Sequence, residues 1–153
     1  MDIFTRWPNI DYRWVLAELI TATVQRKNGV RQMLKIISDY RLLKSLKHLE
    51  KNDASQSRQY LDKVLGVHDE EYDFIVAFDA MVMGFESRYD DALRRFKEAR
   101  IFREEYSDPD SKYIVLFCQY WECTLVEGGN CERFKDQALS LDTGKSVRMF
   151  LKL

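Results

Sequence analysis

The chain has 153 residues, of which 46% are hydrophobic, 13% aromatic and 32% charged, with a formal net charge of −1. This composition excludes extended disorder, because it holds enough apolar material for a core of ordinary size. The near-balance of charge excludes a whole-chain pull towards nucleic acid or membrane, and no run of about eighteen apolar residues is present to span a bilayer.

Six glycines and two prolines among many helix formers predict one all-α domain over residues 1–153. The first residues, MDIFTRWPN, lack a basic start followed by a long apolar run. Together with an odd number of cysteines (Cys118, Cys123, Cys131), this predicts a cytoplasmic protein whose thiols are free and structural.

In chain order, Pro8 ends a short lead-in, and Asn9 or Asp11 can cap a helix from Asp11 to about Lys27. Its apolar face carries Trp14, Val15, Ala17, Leu19, Ile20 and Val24, and Asn28-Gly29 ends it. Val30 to about Asn52 is one long helix, or two with a break near Ser38-Asp39; the repeat register favours the break, with Asp39 starting the first helix of a unit. Asp53 or Ser55 caps a helix from Ser55 to Leu65, which Gly66 closes. Asp69-Glu70-Glu71 starts the next helix and offsets its dipole.

The stretch from Phe74 to Arg103 reads as two helices joined by a short turn. Phe74, Ile75, Phe78, Met81, Val82 and Phe85 mark the first, and Leu93, Phe96, Ala99 and Phe102 the second. Asp90 or Asp91 is placed to cap the second helix. Ser107-Asp108-Pro109-Asp110 marks a loop over 106–112. Then follow a helix from Lys112 to Val126, a turn at Glu127-Gly128-Gly129-Asn130, a helix from Cys131 to Leu141, and a break at Thr143-Gly144. Lys145 to Leu153 is a short amphipathic tail that can cover a last apolar face.

Small residues punctuate the large apolar ones. Tyr89, Ala92, Phe96 and Ala99, with Ala80 in the preceding helix, resemble the second half of a tetratricopeptide repeat. Departures are Val76, Asp79 and Met83, where that family has tryptophan, leucine and an aromatic. About 35 residues upstream, Ser45, Ser57, Leu61 and Val64 stand at the four diagnostic places. About 39 downstream, Cys131 and Ala138 do, but Lys135 replaces the large apolar residue and Phe134 sits one place early. The resemblance implies N-terminal helices over 1–37, three repeat-like units over 38–142, and a capping segment over 143–153.

The resemblance further implies that the first helix of each unit lines a concave, peptide-binding groove. Its lining would be Leu42, Leu46 and Leu49 in the first unit, Phe74, Ala77, Met81 and Phe85 in the second, and Tyr113, Leu116 and Tyr120 in the third. Such a lining suits an apolar segment or amphipathic helix. The occupant can be a protein partner, a second copy of the chain, or the chain's own ends; an adaptor or small chaperone is expected. The alternative is a regulatory domain with a basic face, since Arg26 to Lys51 holds eight Lys or Arg against Asp39 and Glu50. Arg41, Lys44, Lys47 and Lys51 are its members, and they would meet nucleic acid or an acidic partner. Nucleic acid is the lesser expectation, because no RNA-binding signature accompanies them. No glycine-rich phosphate loop is present, neither His48 nor His68 lies in a metal-binding pair, and Cys118 and Cys123 are not at redox or zinc spacing. No enzyme, cofactor or metal is expected.

Overall fold

The computed structural model describes residues 29–65, 73–126 and 129–153. The helix expected over 11–27, the closing Gly66 and the acidic run 69–71 lie outside the described residues. Among those described there are seven helices and no strand. They are α1 Gly29–Glu50, α2 Ala54–Leu65, α3 Asp73–Phe85, α4 Tyr89–Arg103, α5 Pro109–Val126, α6 Glu132–Leu139 and α7 Lys145–Phe150. Each of the first six packs chiefly on its neighbours in the chain, so α1–α2, α3–α4 and α5–α6 form successive hairpins.

Some boundaries differ from the expectation. α1 is unbroken, and Gly29 lies at its start. Ser38 is buried and Asp39 exposed within it. Neither residue disrupts helical hydrogen bonding as proline would, so continuing costs only a few tenths of a kcal/mol per residue. α5 begins at Pro109 rather than Lys112. The Asp108 carboxylate accepts the Ser111 amide at 3.0 Å and the Ser111 hydroxyl at 2.7 Å. Proline at the first helical position lacks an N–H that would have no partner there, so the apparent loop is a helix start. Asp53 caps α2 by accepting the Gln56 amide at 3.1 Å. Asp90 and Asp91 lie in the first turn of α4, but that helix has no side-chain cap. Asp91 is instead drawn to Arg94, at 2.6 Å, and Arg88, at 3.1 Å.

The first two hairpins repeat at the level of the backbone. Asn52 (φ 59°) and Ser87 (φ 62°) both take the left-handed conformation, 35 positions apart. Around them the hydrogen bonds recur. Asp53 N donates to His48 O, as Arg88 N does to Met83 O, each at 2.9 Å. Asn52 N donates to Leu49 O, as Ser87 N does to Gly84 O. α1 and α3 end at equivalent positions, and α2 and α4 begin at equivalent positions.

The crossings obey the same period. Ser45, Ser57, Leu61 and Val64 are buried, and so are Ala80, Ala92, Phe96 and Ala99. Small side chains let the two backbones of a hairpin approach. Where they are serines, the buried hydroxyls satisfy one another: Ser45 Oγ lies 2.8 Å from Ser57 Oγ and 2.9 Å from the Ser57 carbonyl. Phe78, Phe96 and Phe117 fill the core between hairpins, with the Phe96 and Trp121 rings stacked 6.3 Å apart.

One equivalent pair of positions breaks the apolar rule. Lys44, 4% exposed, and Asp79, 2% exposed, occupy the same place in the two hairpins. Lys44 Nζ stands 5.9 Å from the centre of the Tyr60 ring on α2. Asp79 accepts Arg95 Nε of α4 at 3.0 Å, and Arg95 is the positional counterpart of Tyr60. Asp79 also accepts Arg58 Nη1 of α2 at 2.5 Å, and Arg58 donates to Glu86 at 2.7 Å. One carboxylate therefore joins α2, α3 and α4. Burial disfavours the charge on Arg58, but the hydrogen bonds to Glu86 and Asp79 outweigh it and raise its pKa. The next junction is similar: Arg100 of α4 donates to Glu122 of α5 at 2.7 and 3.2 Å.

Candidate functional site

The ten residues expected to line a groove divide by solvent access. Leu42, Leu46, Leu49, Ala77 and Tyr113 are buried, while Phe74, Met81, Leu116 and Tyr120 are half-buried. Phe85 is exposed, at 48%. The apolar face thus has a covered part and an open part.

Over Phe74, Phe78 and Tyr113 the cover is the segment from Gly144 to Leu153. Phe150 of α7 sits against Phe74 and Phe78, with ring centroids 5.5 and 5.7 Å apart, the second pair edge-on. The Tyr113 hydroxyl donates to the Leu151 carbonyl at 2.6 Å. The Arg148 guanidinium lies over the Tyr113 ring, 5.6 Å from its centre. Arg148 also holds the approach in place, through Thr143 Oγ1 at 2.5 Å and the Leu141 carbonyl. At the flanks, Gly144 N donates to Asp110 at 2.8 Å and Lys152 Nζ to Glu50 at 2.5 Å. Burial raises the Tyr113 pKa, against the opposing pull of Arg148.

The open part is a cleft of about 230 Å³ lined by Met81, Gly84, Phe85, Tyr89, Phe96, Trp121 and Leu125. It lies where the end of α3, the start of α4 and the second half of α5 converge. Met81 and Phe85 were expected on sequence grounds; the other five were not. Phe117, Trp121 and Leu125 recur every four residues on α5, which is the signal that identifies that wall. Trp121 stacks on Phe96 and meets Tyr120 edge-on at 5.4 Å. Its indole N–H is buried without a hydrogen-bond partner among the described residues. Phe85 and Tyr89, at 48% and 56% exposure, form the rim. Such a cleft can hold aliphatic or aromatic side chains.

The basic face expected at Arg41, Lys44, Lys47 and Lys51 is not a single surface. Lys44 is buried, its alkyl stem covered and its ammonium over Tyr60. Lys47 pairs with Glu50 at 3.7 Å, while Arg41 is half-buried and Lys51 exposed. Helical spacing placed the four together, but the long α1 turns Lys44 towards α2.

The cysteines also differ from the expectation of three free thiols. Cys123 and Cys131 form a disulfide that closes the α5–α6 turn, with Cα atoms 5.7 Å apart. They flank that turn, so the hairpin itself brings them together. Cys118 alone is free, and burial, aided by Glu122, raises its pKa well above that of an exposed thiol. Among the described residues no group of three His, Cys, Asp or Glu could hold a metal ion, and no helix is long and apolar enough to cross a membrane.

No protein-family model, curated protein or solved structure matches the chain.

Proposed function

We propose that the protein is a tetratricopeptide-like binding module, an adaptor or small chaperone that receives an apolar segment of another polypeptide. The observation that carries this is the open cleft between α3, α4 and α5, with Met81 and Phe85 on its wall and aromatic residues at its rim. An apolar concavity with projecting aromatics suits one or two large side chains of an amphipathic helix. The 35-residue period of turns and small-residue crossings supports the family likeness.

The reading is tested with a peptide selected from a display library on the native protein and titrated against variants. Met81→Asp and Phe85→Asp should each weaken it by about tenfold or more, while the circular dichroism of the helices stays unchanged. Unchanged affinity in both variants refutes the cleft as the site. Native mass spectrometry completes the test, since a dimer that Phe85→Asp dissociates would assign the cleft to a second copy of the chain.

A further inference from the structure

The wall that α5 gives to the open cleft ends beside a disulfide. Cys123 lies on α5 midway between Trp121 and Leu125, both of which line the cleft. One residue before Cys123, Glu122 fixes α5 against α4 by accepting Arg100 at 2.7 and 3.2 Å. Past that point Thr124 and Val126 are exposed, and Leu125 is half-buried. The chain turns back alongside the cysteine. Gly129 has φ 114°, and a Cβ placed there would lie 3.9 Å from Cys123 Sγ. Cys131 then meets Cys123 from the cap position of α6, a helix that has no side-chain cap.

The start of α6 has little else to hold it. The helix is eight residues long, too short to persist without packing, and its one buried residue, Ala138, lies near its other end. That other end is held separately, where Arg148 meets the Leu141 carbonyl. The disulfide therefore joins the end of α5 to the start of α6 at a place where each has little other support. Cys123 and Cys131 are only half-buried, whereas Cys118 is buried and takes no part.

We infer that the Cys123–Cys131 bond is a redox switch on the cleft. Oxidised, it holds Leu125 in the wall. Reduced, it releases the last turn of α5 and the start of α6, and the cleft loses that wall. The inference rests on the reading of the cleft as the binding site and adds its regulation. The reaction is thiol–disulfide exchange with a dithiol. One thiolate of the dithiol bonds to one cysteine sulfur and expels the other as a thiolate. The second thiol of the reagent, once deprotonated, displaces the first, which leaves two cysteine thiols and the reagent as a cyclic disulfide. Two electrons and two protons pass to the protein, and glutathione disulfide reverses the exchange.

The first step of the test needs no ligand. Hydrogen exchange is compared between the oxidised protein and the protein reduced with dithiothreitol. Amides of residues 124–126 and 136–138 should exchange at least about tenfold faster after reduction, while those in the middle of α3 and α4 keep their rates. The second step titrates the display-selected peptide. Reduction should weaken it by about tenfold or more, and glutathione disulfide should restore it. Cys131→Ser should bind as weakly as the reduced chain, with or without dithiothreitol. Equal exchange in the two states, or faster exchange throughout the chain, overturns the inference. A peptide that responds to Met81→Asp but not to reduction leaves the cleft standing and overturns the switch alone. A peptide indifferent to both Met81→Asp and Phe85→Asp refutes the cleft, and the inference with it.

Discussion

Replacing Asp79 with asparagine keeps the size of the side chain and removes its charge. The carboxylate accepts one guanidinium bond on each oxygen, from Arg58 at 2.5 Å and Arg95 at 3.0 Å. An amide can accept only one of them and turns an N–H donor towards the other. A hydrogen bond to a charged group contributes about 1.5–3 kcal/mol, so two represent about 3–6 kcal/mol before offsets. Two offsets apply. Arg58 keeps Glu86 and Arg95 keeps Glu98, so neither cation is stranded. The cost of holding a carboxylate out of water also disappears. The net loss should be about 2–3 kcal/mol, or about 4–12 °C in Tm for a chain of this size. Urea unfolding followed by circular dichroism at 222 nm measures it. The Arg95→Met background should show coupling, with the double variant less unstable than the sum of the singles. A loss below about 1 kcal/mol, or simple additivity, would refute the view that Asp79 joins three helices.

Three further outcomes are expected. Asp108→Ala should cost about 1 kcal/mol through loss of the α5 cap. The bonds from Ser111, side chain first and then amide, hold the folded Asp108 pKa below the ordinary carboxylate value. Its contribution is therefore complete above that ordinary value and is lost as pH falls through the folded one; Asp108→Asn should flatten this acid limb, and an unchanged limb would refute the assignment. Thiol labelling without reductant should modify no cysteine in the native chain and one, Cys118, in denaturant, rising to three once the disulfide is reduced; native labelling would contradict the burial of Cys118 and the Cys123–Cys131 bond. Ser45→Ala and Ser57→Ala should each cost about 1 kcal/mol, and the double variant less than their sum, because it restores a small apolar crossing of the Ala80–Ala92 kind. A double variant costing the full sum would show that the two hydroxyls do not depend on each other.

Much of the fold is legible in the sequence because it is local. Small residues at 45, 57, 80, 92 and 99 mark where helices must approach, and each of them is buried. Turn residues mark the turns between α1 and α2 and between α3 and α4. The site is less legible, for identifiable reasons. Met81 and Phe85 are readable as cleft residues from the face of α3, but the opposite wall depends on how far α5 slides along α4, which no local signal fixes. Lys44 reads as a surface charge because residue type suggests exposure, whereas its environment is set by Tyr60 on another helix. The disulfide was hidden because Cys123 is nearer in sequence to Cys118, although the turn between α5 and α6 is what pairs it with Cys131. The cover over Phe74 and Tyr113 is the least local feature, since its hydrogen-bond partners lie 34 to 102 positions away.

Lys44 and Asp79, buried at equivalent places with opposite sign, bear on the order in which the hairpins assemble. Two hairpins sharing a turn geometry and a crossing pattern are at risk of exchanging helices, as repeated segments do when they fold. Were α4 to pack on α1 in place of α2, Arg95 would be brought against the buried Lys44, two cations side by side. Were α2 to pack on α3 as α4 does, Tyr60 would meet Asp79 without offering its guanidinium partner. The first wrong pairing sets like charges together, and the second leaves Asp79 without one of its two guanidinium partners. The two residues act as addresses, so that a chain with a repeating outline has only one correct sequence of neighbours.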